Sequence, residues 1–331
     1  MAMRFFLRVL LVAGCVVCTA SQAYVLYAQD INLDPVLAKA SKALRAERYE
    51  EAEKFIAPLL NGDSPSLFVL LLKAEILDAS GTSDTAIQYY ERAEALDKAS
   101  IQAVMGQVSA IGGQKRNSLS PGIEYEIKAA PLIKRAISMA PSNSYDYLAR
   151  GVAFKLLGEL EKALEDFNKA IELDRSIPDA FTLRTAVFFK KQEFDKAIAE
   201  NAQALDLDPT FVQALINRGA AHRKMGNIDV ALADYSKAMK ISPSNPEVYF
   251  NRGVIYQKKA MYAQAIDEFS SAIRFDPKYV GAYMNCGASQ ISLGNISAGK
   301  KDFEQAFRLD PLSEAGQMAG RNLSRLKERG Y

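Results

Sequence analysis

Residues 246–279 read PEVYFNRGVIYQKKAMYAQAIDEFSSAIRFDPKY, and residues 280–313 read VGAYMNCGASQISLGNISAGKKDFEQAFRLDPLS. Laid over one another, they share tyrosine at the fourth place, glycine at the eighth, phenylalanine at the twenty-fourth, alanine at the twenty-seventh and Asp-Pro near the end. The same 34-residue frame runs back to Ser144, giving five copies over 144–313. Ala170, Ala204, Ala238, Ala272 and Ala306 mark every copy, while Gly151, Gly219, Gly253 and Gly287 mark all but the second. A unit of this length is one supersecondary element whose apolar face is covered only by its neighbours, so the copies stack into a solenoid with an extended surface. The function class that follows is binding.

The order of small and large residues fixes the element. An aromatic or large apolar residue stands fourth (Tyr147, Phe181, Leu215, Tyr249, Tyr283), and a ring stands eleventh in most copies (Phe154, Phe188, His222, Tyr256). Alanine or glycine stands twentieth (Ala163, Ala197, Ala231, Ala265, Gly299), and an aromatic twenty-fourth (Phe167, Tyr235, Phe269, Phe303), with Asn201 as the exception. Small residues let two antiparallel helices approach, and the rings fill the space beside them. Gly158, Gly226 and Gly294 fall where a left-handed residue ends the first helix, and Pro209, Pro243, Pro277 and Pro311 stop the second. This pattern resembles the tetratricopeptide repeat. The resemblance implies an all-α fold, a right-handed superhelical α-solenoid of antiparallel helix hairpins closed by a C-terminal capping helix.

Outside the regular array the frame weakens but persists. Residues 67–100 and 33–66 align as further copies, and 101–143 aligns if about nine extra residues are allowed over Gly112–Glu126. That stretch, rich in Gly, Ser, Asn and Pro, reads as a loop, and both a functional insertion and a tolerated one are open. The divergent part therefore spans 33–143, for eight hairpins in all. Residues 314–329 place Ala315, Met318, Ala319, Leu323 and Leu326 on one helical face, as a cap requires.

The N-terminus carries a separate message. Arg4 and Arg8 precede an apolar stretch from Val9 to Ala20, and Ser21-Gln22-Ala23 supplies small residues before a cut, which reads as an export signal over 1–23. Two other readings stand beside it: a lipobox over Val12–Cys15 with Cys15 lipidated, and an uncleaved anchor over Val9–Ala28, which has no charge. All three place the repeats outside the cytoplasm, most simply in a periplasm, with membrane contact only through this segment. Cleavage would leave Cys286 alone, so no disulfide framework is expected. The formal charge of +2 falls to zero without Arg4 and Arg8, which disfavours nucleic acid as a partner.

Nothing in the residues points to catalysis, a metal or a cofactor. The single histidine, His222, sits at a packing place, no zinc set exists, and no Gly-rich phosphate loop follows a strand. The expected partners are proteins or peptides. In the family the first helix of each unit lines the concave face, with its second, fifth, sixth, ninth, twelfth and thirteenth residues inward. By that resemblance Asn217, Asn251 and Asn285 form a ladder of amides beside Ile216, Phe250 and Met284, suited to holding an extended backbone. The alternative is that asparagine is common at this place in the family. Lys155, Lys190, Arg223, Lys224 and Lys258 would form a basic strip for an acidic or carboxylate-ended partner, or serve only as solvated helix ends. Two partner roles follow: a scaffold gathering several envelope proteins, or a dedicated chaperone or assembly subunit of an envelope secretion or polysaccharide export system. A last regularity pairs Arg150, Arg184, Arg218 and Arg252 at the seventh place with acids at the twenty-third, Cys286 replacing arginine in the final copy.

Overall fold

The computed structural model describes residues 35–61, 65–115 and 121–330. Seventeen helices and no strand occur among the described residues. Three divergent hairpins come first: α1 (Pro35–Arg45) with α2 (Tyr49–Leu60), α3 (Leu67–Ala79) with α4 (Ser83–Leu96), and α5 (Ile101–Lys115) with α6 (Pro121–Ser138). The regular array continues with α7 (Ser144–Leu157), α8 (Leu160–Leu173), α9 (Pro178–Lys190), α10 (Phe194–Leu207), α11 (Val212–Lys224), α12 (Ile228–Ile241), α13 (Pro246–Lys258), α14 (Tyr262–Phe275), α15 (Val280–Ser292) and α16 (Ile296–Leu309), and α17 (Glu314–Glu328) closes the chain. The chain forms two compact units that divide between Ala221 and His222, inside α11. Within each unit, successive helices pack on one another, as an α-solenoid of hairpins demands.

The close approach inside a hairpin has a local cause. A Cβ added at Gly151 would lie 2.6 Å from the Phe167 ring, one at Gly253 2.6 Å from Phe269, and one at Gly287 2.9 Å from Phe303. The ring of the second helix thus lies on bare backbone of the first, and all three rings are buried. The copy that lacks the glycine also lacks the ring: Thr185 stands eighth and Asn201 twenty-fourth, both buried. Thr185 Oγ1 donates to Phe181 O at 3.1 Å and Asn201 Nδ2 to Ala197 O at 2.8 Å. A β-branched side chain is tolerated where no ring presses on it.

The turns between helices repeat as well. Gly158, Gly226 and Gly294 have φ of 81°, 87° and 84°, while Gln192 and Ala260 take the same left-handed place at 60° and 56°. The amides that follow, at Glu159 and Asn227, donate to Phe154 O and His222 O, satisfying carbonyls that the helix end leaves open. Gln192 and Ala260 hold this turn against the steric cost of a Cβ, because the packed hairpin dictates it.

Charged pairs join the two helices of three hairpins. Arg150 makes a two-pronged contact with Asp166 at 2.7 and 2.8 Å, Arg184 with Glu200 at 2.7 and 2.9 Å, and Arg252 reaches Glu268 at 2.7 Å. In the last hairpin the Cys286 thiol bonds the Asp302 carboxylate instead. Burial, reinforced by that carboxylate, pushes the thiol up, so Cys286 is a neutral, buried donor. The planar guanidinium fork suits a carboxylate better than a point charge, and sets the register of the hairpin.

One expectation changes. The loop read over 112–126 is largely helical, since α5 runs to Lys115 and α6 starts at Pro121, leaving only 116–120 between them. Proline without an N–H is suited to a first helical turn, so it begins α6 rather than marking a loop. The segment read as signal, anchor or lipobox, Cys15 included, lies outside the described residues. At the other end α17 buries Ala319 and Leu326 against Met284, Phe303 and Ala306, covering the last apolar face.

The exchange of ring and glycine for Asn201 and Thr185 makes the packing rule testable. Asn201→Phe is expected to destabilise by roughly 2 kcal/mol, because the new ring meets Thr185. In a Thr185→Gly background the same change should cost at least about 1 kcal/mol less. Urea unfolding of the two singles and the double gives the coupling; additive effects would contradict the rule.

Candidate functional site

The first helices of the hairpins carry the candidate surface, and each unit presents its own version. In unit 2, Pro246 opens α13 and Asn245 caps it, its Oδ1 accepting from Glu247 N at 2.8 Å and Val248 N at 3.2 Å. This cap fixes the start of the helix and hence which residues face the partner helix α15. The Phe250 ring lies 4.9 Å from the Tyr279 ring and 5.8 Å from Phe269, centroid to centroid, and 3.5 Å from where a Cβ on Gly281 would sit. Gln257 reaches from α13 to α15, donating to Asn285 O at 3.1 Å and Ser289 Oγ at 3.0 Å. Residues one repeat apart are therefore neighbours.

The amides are turned onto their own helices. Asn251 Nδ2 donates to Glu247 O at 3.0 Å and Asn285 Nδ2 to Gly281 O at 2.9 Å. In unit 1, Asn217 Oδ1 accepts from Gln213 Nε2 at 3.0 Å. Such back-bonding uses one of an amide's two donor hydrogens and pins its orientation. Asn251 is buried, whereas Asn285, Phe250 and Asn217 are half-buried. Ile216 is only 1% exposed and Met284 is also buried against α17, so both serve the core rather than a contact surface. The fifth place of a hairpin is inward in two senses, and a branched aliphatic there goes to the packing side.

The basic residues fall into different environments. Lys190 in unit 1 is exposed, as are Lys224 and Lys258 in unit 2, where Arg223 is half-buried. Lys155 is buried, 5% exposed, and is not a solvated helix end.

Unit 1 holds a polar cluster that the repeat pattern did not reveal. Arg45, the last residue of α1, donates from Nε to Asp208 Oδ2 at 2.8 Å and from Nη1 to Asp179 Oδ2 at 3.5 Å. Its guanidinium carbon lies 6.0 Å from the centre of the Phe211 ring. Asp179 is second in its unit, just after Pro178 at the start of α9. Asp208 follows α10, where its Oδ1 accepts from Thr210 N at 3.0 Å and Thr210 Oγ1 at 2.7 Å. That turn recurs at Asp174, Asp276 and Asp310, so the sequence explains Asp208 as a turn residue and hides its second oxygen. Glu75, from α3, is buried beside the cluster, and its Oε1 finds no hydrogen-bond partner.

Burial and charge act in opposition here. At Asp208 burial pushes the carboxyl up, but Arg45 and Thr210 outweigh it and hold it below the usual range. At Asp179 burial, with the neighbouring Asp208, prevails over Arg45, and the carboxyl is pushed up to about 6. Glu75 is pushed well above the carboxylate range, first by burial and then by Asp179 and Asp78. Asp78 itself accepts from Ser83 and Ser109. No three of His, Cys, Asp or Glu are arranged to hold a metal ion among the described residues.

With this geometry in place, the comparisons with known proteins decide the family. Models described as TPR repeat or tetratricopeptide repeat match residues 69–100, 145–177, 186–226, 221–259, 246–279 and 280–311. This chain carries tetratricopeptide repeats. No curated protein sequence matches it. Among solved structures it is similar to one titled "Crystal structure of APC/C hetero-tetramer Cut9-Hcn1", at 16% identity and TM-score 0.62, over 86% of this chain and 56% of that one. It is also similar to "Human IFIT1 dimer with PPP-AAAA", at 13% identity and TM-score 0.64, over 88% of this chain and 73% of that one. The chain thus spans little more than half the length of the first of these, and at such identities the likeness establishes the fold alone. No helix among the described residues is long and apolar enough to cross a membrane.

The Asp179 carboxyl gives a pH test with a definite sign. A folded value near 6 against an ordinary value of 3.8 means that the folded protein holds this proton more tightly than the unfolded chain does. Its contribution to stability therefore grows as pH falls through 6 and is complete below about 4. The protein should melt higher at pH 5 than at pH 7.5 through this group, and Asp179→Asn should shrink that increment. Differential scanning calorimetry at the two pH values decides; an unchanged increment would remove Asp179 as its source.

Proposed function

We propose that this chain is a non-catalytic scaffold that binds proteins or extended peptide segments along the inner face of unit 2. One observation carries the reading: α13 and α15 pack together, Gln257 of α13 bonding Asn285 O of α15, and leave Phe250 and Asn285 on these two helices only half-buried, with Lys258 exposed at the end of α13. A half-buried ring supplies contact area, while the pinned amide keeps one donor hydrogen and its carbonyl oxygen for a peptide backbone. Asn251 holds the helix-side bond beneath them, and Arg223, Lys224 and Lys258 favour an acidic or carboxylate-ended segment.

The first 23 residues support export, because a short basic start, an apolar stretch and a small-residue end make a signal peptide. On that reading the scaffold works outside the cytoplasm of a bacterial cell, in the periplasm after cleavage, and a retained anchor or lipidated Cys15 would hold it at the membrane. The second reading, a dedicated subunit of an envelope secretion or polysaccharide export system, differs in stoichiometry: a scaffold returns several partners, a subunit one.

Affinity capture from detergent-solubilised envelope, with circular dichroism as a folding control, tests the surface. Phe250→Ala and Asn285→Ala are each expected to lower capture about fivefold or more, as truncation of a contact that matters does, with helix content unchanged. Capture that persists in the double variant would place the site elsewhere.

A further inference from the structure

Unit 1 differs from unit 2 in that a side chain of the chain itself already occupies its polar cluster. Arg45 is 134 residues from Asp179 and 163 from Asp208, yet its side chain is only 18% exposed between them. The substantial packing of α1 is on α2 and α3; the link to Asp179, Asp208 and Phe211 is made by the Arg45 side chain. Two residues on, Glu47 takes the left-handed turn of the hairpin, φ 57°, as Gln192 and Ala260 do in the regular array.

The receiving groups suit one chemistry. Two carboxylates take two different N–H groups of one planar fork, and a ring lies close to the guanidinium carbon. An ammonium offers its three donors from one atom, whereas the planar guanidinium presents separate N–H groups, here Nε and Nη1, to the two carboxylates. Asp208 is positioned by Thr210 through its other oxygen, independently of Arg45. The buried Glu75, with Oε1 unsatisfied, adds acceptor capacity that Arg45 does not use. The site is therefore built by α9, α10 and the turn after it, and Arg45 is its occupant.

We propose that Asp179, Asp208 and Phe211 form a guanidinium-binding site, closed in this structure by Arg45, and that the ligand exchanging with Arg45 is an arginine side chain on a partner peptide. The first hairpin then acts as a built-in competitor, and the apparent affinity of unit 1 for such a peptide is reduced by the fraction of molecules in which Arg45 is seated. This assignment concerns unit 1 and stands apart from the Phe250 surface of unit 2.

The test uses the full chain and two fluorescein-labelled peptides of glycine and serine that differ only in carrying one central arginine or one central lysine. Fluorescence anisotropy is expected to show the arginine peptide binding Arg45→Ala about tenfold more tightly than wild type. It should prefer arginine over lysine and lose that binding in the Arg45→Ala/Asp208→Asn double variant. The proposal is overturned if Arg45→Ala binds no better than wild type, if the lysine peptide binds equally, or if the double variant retains binding. It is equally overturned if Arg45→Ala loses helix content by circular dichroism, since Arg45 would then be a structural strut and not an exchangeable occupant.

Discussion

The distance between two helices of one hairpin is set by an aromatic ring lying on backbone that carries no side chain. Most of the regular array follows from that contact. It holds the helices of two hairpins where Arg150 and Arg252 reach the acids opposite them; the hairpin that closes on Thr185 and Asn201 instead keeps the same pair through Arg184 and the same left-handed turn at Gln192. A hairpin closed in this way still shows an apolar face, which only the next hairpin or α17 covers. Stacking is thus a consequence of how each hairpin closes.

The regular part of this architecture was legible because each feature is local and recurs. A ring and a glycine sixteen places apart define a hairpin, and four occurrences in a five-copy frame remove chance. Thr185 and Asn201 show the limit of reading by consensus, since each departs from the pattern and only the pair makes sense. Legibility fails where the contact is neither local nor repeated. Arg45 belongs to a divergent hairpin, and nothing in a 34-residue period relates it to Asp208, whose turn role already accounts for it. The stretch over 112–126 misled for the opposite reason: its Gly, Ser and Pro content suggests a loop, while a proline at a helix start is at home.

The candidate site was legible by position but not by environment. Place in the repeat put Phe250 and Asn285 on adjacent helices, as the structure does. It also put Ile216 and Met284 with them, although packing claims both. An amide ladder drawn from sequence supposes that the side chains are unoccupied, whereas Asn251 and Asn285 each spend a donor hydrogen on the preceding helical turn. On the proposed reading, what is left for a partner is a ring, a pinned amide and nearby cations, suited to an extended segment rather than a deeply inserted side chain.

Hydrogen exchange of the full chain, followed by mass spectrometry with and without a captured partner, addresses the central claim most directly. Binding along the inner row predicts slowed exchange concentrated in α13 and α15, with α14 and α16 little changed. Protection confined to α14 and α16, with α13 and α15 exchanging as before, would contradict it.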